Sequence, residues 1–381
     1  MVHVSSSIFK TYSILFFAFA IGLMVVVNAG VTQDETVSRN WMILALLVLE
    51  PFCLAVYLLT IKRQLKGIHF LCLLWLLLMP LIMYINHAIL TDYMQTILWP
   101  LIFETTYICC CHRSKRGMAI ANEYLLICAI GLFFFLQTRI VIEKQTNTIY
   151  LVFLTLPFFL YRFQKQRTII LVVFTFFALL SLKRSVMLST VLIWMFYFIE
   201  NIKRRRNLLY VVVTAVFAVV MVSQLYDRVD EKLGGMLTER VGQEEVEGEG
   251  RSGIYEYTLF MIQSSTPRDL VLGHGHFGVK KDSFYEMSAH NDFLEVIYDY
   301  GVIILVLYLC LWGHVVGQCY RLYRARSSLF FPYATTLSIF LIMSMVSHLI
   351  LYATYFNYIV MFWGMTEAIF ETQQQYIKKL S

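Results

Sequence analysis

The sequence predicts an all-α polytopic membrane protein with about twelve transmembrane helices and one large external loop containing an amphipathic helix. Two observations carry this. Hydrophobic residues make up 59% of the chain and charged residues 15%, against about 25% charged in soluble domains. Mean hydropathy is +0.66, and the apolar residues fall in runs long enough to cross a bilayer, separated by short basic connectors.

A helix needs roughly 20 apolar residues to span a hydrocarbon core of about 30 Å. By that measure spans fall near 10–30, 41–61, 68–87, 92–111, 117–137, 148–163, 168–183, 185–202 and 207–226, then 291–318, 329–349 and 352–371. The turns beside Lys183 and Tyr352 are very short. Residues 1–226 thus form a bundle of about nine spans, 227–290 an extracytoplasmic loop, and 291–381 about three more spans. The first apolar stretch is longer than the core of a signal peptide and many spans follow it, so it reads as a retained helix.

Orientation follows from the basic residues. Lys62, Arg63 and Lys66, then Arg113, Lys115 and Arg116, then Arg162, Lys165 and Arg167 fall on one side. Lys203 to Arg206, then Arg321, Arg324 and Arg326, and finally Lys378 and Lys379 fall on the same side. This places both termini in the cytoplasm and the loop outside. The net charge of +6 arises from these scattered clusters and does not point to nucleic acid. The eight cysteines lie in or beside apolar segments, which argues against a disulfide framework. Adjacent ligands on a helix point in different directions, so Cys109-Cys110-Cys111-His112 is not read as a metal site.

Lys183-Arg184 is the one dibasic pair among the short outer turns. It reads either as a tether to lipid headgroups or as a site for an anion. Within the loop, Gly242 to Gly250 is acidic and glycine-rich, a solvated flap. Arg251 then opens a segment in which Ile254, Tyr255, Thr258, Leu259 and Ile262 recur at helical spacing, an amphipathic helix for the interface. A cation at a helix N-terminus gains nothing from the dipole, but together with the first amide groups it can converge on a phosphate. Leu272-Gly273-His274-Gly275-His276 follows, a tight turn whose glycines let backbone approach a ligand closely. His274 and His276 lack a third partner of convincing metal-ligand spacing. Last comes Ala289-His290-Asn291-Asp292-Phe293-Leu294-Glu295, where a titratable ring sits at the boundary between loop and span. Taken alone, His290 reads as a helix cap or as a functional base.

In this order and on this side of the membrane, the motifs resemble the O-antigen ligase/polymerase superfamily of polytopic membrane glycosyltransferases. The resemblance rests on Leu182-Lys183-Arg184-Ser185, on Arg251 with the Leu272-Gly273-His274-Gly275 turn, and on His290-Asn291 with Gly301 downstream. It departs from the family where Tyr255 stands in place of a tryptophan and where Lys183-Arg184 replaces serine-arginine. What the resemblance implies is a GT-C-like fold in a bacterial cytoplasmic (inner) membrane. The implied substrate is an undecaprenyl-diphosphate-linked oligosaccharide presented among membrane lipids, with a flippase and a chain-length regulator as partner proteins. The donor contains its own leaving group, so no cofactor and no metal is implied.

The chemistry requires a diphosphate clamp and a base. Arginine pairs bidentately with phosphate oxygens and stays charged, which assigns that role to Arg184 and Arg251, with Lys183 assisting. His290 is the expected base, giving inversion at the anomeric carbon by direct displacement. Asn291, His274, His276 and Tyr255 are secondary candidates. The expected activity is a surface-polysaccharide (O-antigen or capsule) polymerase that transfers glycan to a sugar hydroxyl on another lipid-linked repeat unit. The alternatives are a ligase acting on lipid A-core and, from another class, a lipid-linked glycan flippase or secondary transporter. Transporters show internal repeats, and none is visible between the halves.

Overall fold

A computed structural model describes residues 5–32, 35–60, 67–111, 113–142, 147–205, 226–236, 251–284, 286–350 and 353–380, with single positions between 216 and 238. Side chains of 29–32, 35–45, 60, 114, 203–205, 251, 252, 353, 354 and 378–380 are outside that description. The described chain is all-α. Its first nine helices are α1 Ser6–Thr32, α2 Glu35–Thr60, α3 Ile68–Ile85, α4 Leu90–Cys110, α5 Ser114–Leu136, α6 Thr148–Leu154, α7 Leu156–Arg162, α8 Arg167–Leu180 and α9 Arg184–Arg205. Three helices of the loop follow: α10 Arg251–Ser264, α11 Pro267–Leu272 and α12 Gly278–Asp282. The chain closes with α13 Asp292–Arg324, α14 Phe330–Val346 and α15 Ala353–Leu380.

Five of the described helices are long and apolar enough to cross a membrane: Ser6–Asn28, Ile68–Ile85, Lys115–Val141, Arg184–Ile202 and Asp292–Arg324. Shorter apolar helices occupy four more of the expected spans, and the expected span at 207–226 lies mostly outside the described residues. Two details differ from the sequence reading. The span at 148–163 is two short helices, because the chain turns at Thr155, whose hydroxyl donates to the Val152 carbonyl at 2.6 Å, just before Pro157. The span beginning at 291 runs on to Arg324 and is interrupted at Gly301, where φ is 77° and ψ 177°.

Lipid tails are as apolar as leucine, so helix association in a bilayer depends on close packing and interhelical hydrogen bonds. Both occur along the contact between α4 and α15. A Cβ placed on Gly364 would lie 2.5 Å from the Phe103 carbonyl oxygen, so only glycine lets these helices approach this closely. Trp99 packs edge-on against Trp75 and Phe356 with centroids 5.1 and 5.8 Å apart, and α1 joins through Tyr12, whose hydroxyl is 2.6 Å from Thr106 Oγ1. Lower on the same helices are polar groups that apolar burial alone would exclude. His69 Nδ1 lies 2.9 Å from Glu104, Tyr107 donates to Glu371 at 2.5 Å, and Arg321 lies 3.5 Å from Glu367.

The far ends of α8, α9 and α14 are pinned together by one buried arginine. Arg167 Nη1 donates to both Glu200 oxygens at 2.7 and 2.8 Å, and Nη2 donates to the Ser328 carbonyl at 2.8 Å. Phe330 and Phe331 pack on Phe196 and Tyr197 at the same level. Since α14 runs alongside α9, the start of α9 and the end of α14 share the opposite end of the bundle. The loop helices dock at that end.

Candidate active site

The loop meets the bundle at the N-terminus of α13. Asn291 has extended backbone, and its Oδ1 accepts from the Phe293 and Leu294 amides at 3.0 and 3.2 Å, which is the ordinary chemistry of an N-cap. The preceding residue, His290, has φ of 55°, a left-handed conformation that histidine adopts more readily than most residues. Asp292 and Glu295 occupy the first turn, where negative charge is favoured.

The glycine turn has a role other than the one its sequence suggested. A Cβ on Gly273 would lie 2.2 Å from the Asp299 carbonyl oxygen, and one on Gly301 would lie 2.2 Å from the Val271 carbonyl oxygen. The two glycines therefore interlock. The close backbone approach expected for a ligand is taken by α13 itself. His274 N–H donates to the Tyr298 carbonyl at 2.9 Å and Gly275 N–H to the Asp299 carbonyl at 2.8 Å, carbonyls that the break at Gly301 leaves without regular helical partners. Asn86 fixes the turn from α3 by donating to the Leu272 carbonyl at 2.9 Å.

His274 and His276 serve this docking. The His274 ring stacks on Tyr298 with centroids 4.1 Å apart, and its Nε2 lies 3.0 Å from Ser265 Oγ. His276 is buried, with Nδ1 in a very short hydrogen bond to the Tyr300 hydroxyl. Burial, helped by the positive charge of Lys281, lowers its pKa to about 4. Both rings are held as parts of the loop rather than presented beside His290.

His290 has a different neighbourhood. Its half-buried ring stacks on His348, with centroids 4.5 Å apart and planes 25° from parallel. His348 lies in the short turn between α14 and α15, and its Nδ1 is 3.2 Å from Glu295 Oε1. The same oxygen accepts the His290 amide at 2.9 Å. Glu295 is buried, and its Oε2 has no hydrogen-bond partner among the described residues. Tyr255 reaches over from α10, its hydroxyl 3.2 Å from the His290 carbonyl and 3.0 Å from the Met345 carbonyl. Asn291 Nδ2 donates to the same Met345 carbonyl at 3.3 Å.

The expected basic residues come to the same end of the bundle. Arg184 is the first residue of α9 and, like Lys183, is half-buried. Leu182 turns the chain there with φ of 55°, and the Lys183 amide donates to Ser181 Oγ at 3.2 Å. Ser185 Oγ is 2.8 Å from the Tyr150 hydroxyl, and the Tyr150 ring packs on Tyr355 near the start of α15. Arg251 opens α10 about one turn before Tyr255; its side chain is outside the described residues. The backbone thus gathers His290, Tyr255, Asn291 and the segments bearing Arg184 and Arg251 around the end of α14, while His274 and His276 brace the loop beside them.

Sequence reasoning missed His348 and the role of Glu295. Glu295 stands in the quoted motif, five residues after His290. His348 falls inside the apolar span expected at 329–349, in which it is the one histidine and no residue is charged. As built, the site can accept a proton on an imidazole next to a buried carboxylate, at a bundle end that also receives two arginine-bearing helix starts.

Residues 169–309 match a family model described as O-antigen ligase. The match runs from α8 to the middle of α13 and includes every candidate residue named above except His348. Over that segment it supports a likeness to the O-antigen ligase/polymerase superfamily, and the apolar helices support a multi-pass membrane protein. No curated protein matches the chain.

Proposed function

We propose, starting from the O-antigen ligase match over residues 169–309, that this chain is a surface-polysaccharide polymerase. It transfers glycan from undecaprenyl diphosphate to a sugar hydroxyl on another lipid-linked repeat unit. In this reading the His290 end of the bundle faces outside the cytoplasm, both termini lie inside, and residues 227–290 form the external loop over two membrane-embedded parts.

His290 takes the proton of the acceptor hydroxyl as its oxygen bonds to the anomeric carbon. The bond from that carbon to the diphosphate oxygen breaks, and undecaprenyl diphosphate leaves with the electron pair. Attack opposite the leaving group inverts the anomeric configuration. Arg184 and Arg251, with Lys183, neutralise the departing diphosphate, since a guanidinium offers two parallel donors to phosphate oxygens. Tyr255 and Asn291 hold the His290 segment to the end of α14.

The observation that carries this reading is the placement of His290 in a pre-built polar cluster at the bundle end where α9 and α10 also begin. His290→Ala, present in the membrane at normal level, is expected to abolish glycan chain formation; a base of this kind contributes about 10²–10⁴-fold. Near-normal surface glycan on a gel would remove His290 from the mechanism. The same gel on a deletion strain separates the acceptors. A single repeat on the acceptor marks a missing polymerase, and free lipid-linked polymer marks a missing ligase, the reading that would then replace this one.

A further inference from the structure

Arg139 is a buried arginine that the proposed chemistry leaves unused, and it lies outside the segment 169–309. It stands where α5 stops being a regular helix. Gln137–Val141 forms a single π-helical turn, in which the Ile142 amide donates to the Gln137 carbonyl at 3.2 Å. Turns of this kind are rare and occur frequently at functional sites. Here Ile140 and Val141 face outward, whereas the polar residues Thr138 and Arg139 are buried. Thr138 Oγ1 lies 3.2 Å from Asn28 Oδ1 on α1, and that oxygen also accepts from Thr148 Oγ1 of α6 at 3.1 Å. The π turn is therefore clipped to two neighbouring helices, which fixes the origin of the Arg139 side chain.

From there Arg139 reaches the end of α8. Its Nε donates to the Leu180 carbonyl at 3.1 Å. Leu180 is the last residue of α8, and the final carbonyls of a helix need partners from outside it. A guanidinium donor makes a stronger bond there than a neutral group does. Only Ser181, Leu182 and Lys183 separate this carbonyl from Arg184, and all three are closely set. Ser181 Oγ donates to the Ala178 carbonyl at 2.7 Å and accepts the Lys183 amide at 3.2 Å. Leu182 is buried with φ of 55°, and its amide donates to the Leu179 carbonyl at 3.2 Å. The direction in which Arg184 leaves the turn thus follows from the carbonyl that Arg139 holds. Arg139 is 5% exposed while Arg184 is half-buried, so Arg139 acts from behind the turn and Arg184 at its surface.

We propose that Arg139 is a positioning residue for the diphosphate clamp. Its hydrogen bond to the Leu180 carbonyl sets the Lys183-Arg184 turn in the orientation that receives the departing diphosphate. The proposal rests on the reading of Arg184 as a diphosphate ligand. It assigns the effect to the donor at Nε rather than to the positive charge, and two substitutions separate these. In Arg139→Gln the amide nitrogen stands at the same place along the side chain as Nε, so the donor is kept and the charge is lost. In Arg139→Lys the charge is kept, but the nitrogen stands one bond further out and overshoots the carbonyl.

The test uses the full-length protein in lipid nanodiscs and measures the Kd of undecaprenyl diphosphate, the proposed leaving group, as the probe. Arg139→Gln is expected to stay within about threefold of the wild-type Kd, and Arg139→Lys to raise it at least about tenfold, because a small misplacement of a binding group is costly. Adding Arg139→Lys to Arg184→Gln is expected to weaken binding no further than Arg184→Gln alone, since both act through one contact. A Lys variant that binds the probe as well as the Gln variant, or better, overturns the proposal, because charge then decides. A double variant in which the two losses add also overturns it, since Arg139 then acts on binding by another route or on the fold at large. Arg184→Gln with the wild-type Kd removes Arg184 from the clamp, so failure of that reading is seen separately from failure of Arg139.

Discussion

Replacing Gly301 with alanine is expected to release the loop from the bundle. Gly301 has φ of 77° and ψ of 177°, a region that only glycine occupies without strain, at a cost of about 1–3 kcal/mol for other residues. The added methyl would also sit 2.2 Å from the Val271 carbonyl oxygen and 2.7 Å from the Leu272 nitrogen. These are backbone atoms and cannot rotate away, so α11 and the following turn must retreat. Retreat breaks the hydrogen bonds from the His274 and Gly275 amides to the Tyr298 and Asp299 carbonyls, each contributing about 1 kcal/mol net. The sum is roughly 3–5 kcal/mol, or a shift of about 10²–10⁴-fold in the docking equilibrium. Hydrogen exchange on the purified protein reads this directly: peptides covering 267–282 lose protection while those from α14 do not. Gly313→Ala in the same helix is the control, since nothing lies within 4 Å of its Cβ position, and alanine there favours the helix by about 0.5–1 kcal/mol. Wild-type protection of 267–282 in Gly301→Ala would refute the interlock of the two glycines.

Two further outcomes are expected. Arg251→Lys keeps the charge but loses the fork, so glycan transfer is expected to fall at least tenfold; full activity would show that charge alone serves and would end the bidentate argument. Docking of the loop is expected to weaken in acid. His276 has a folded-state pKa of about 4 against about 6.5 when exposed, so the undocked form binds the proton first. Stability is fully present above pH 6.5, declines through the window down to about 4, and is lower by about 3 kcal/mol below it. Exchange protection of 267–282 that does not change between pH 7 and 4.5 would contradict the burial of a neutral His276.

The helices were legible because an apolar run of sufficient length has few alternatives in a bilayer, and the cap at Asn291 was legible because its chemistry is local. The break at Gly301 was not. An apolar run starts straight after it at Val302, and a single glycine at the head of such a run is compatible with a straight helix. Its backbone angles follow from Val271 and Leu272, which are distant in sequence. His348 was hidden for a related reason, since one histidine at the end of an apolar segment counts as part of the span. Its meaning comes from Glu295, 53 residues away, which only the packing of α14 beside α13 supplies. The same limit explains the misreading of Gly273: a glycine that permits close approach does not say what approaches.

The first part of α13 shows why the site and the loop dock are one construction. Between the cap and Gly301 lie three buried carboxylates, Asp292, Glu295 and Asp299, at positions i, i+3 and i+7, which share one face of a helix. Each receives amide groups from a different segment. Asp292 accepts from Leu349 and Ile350 in the turn after α14, Glu295 from His290 in the loop, and Asp299 from Val279 in α12. A buried carboxylate is costly unless hydrogen-bonded, so each one makes the position of its donor segment part of the stability of α13. The break at Gly301 then sets this nine-residue stretch apart from the rest of the span. In this arrangement His290 and His348 are brought together because the middle carboxylate serves both, and the docked loop and the imidazole pair stand on the same short helix.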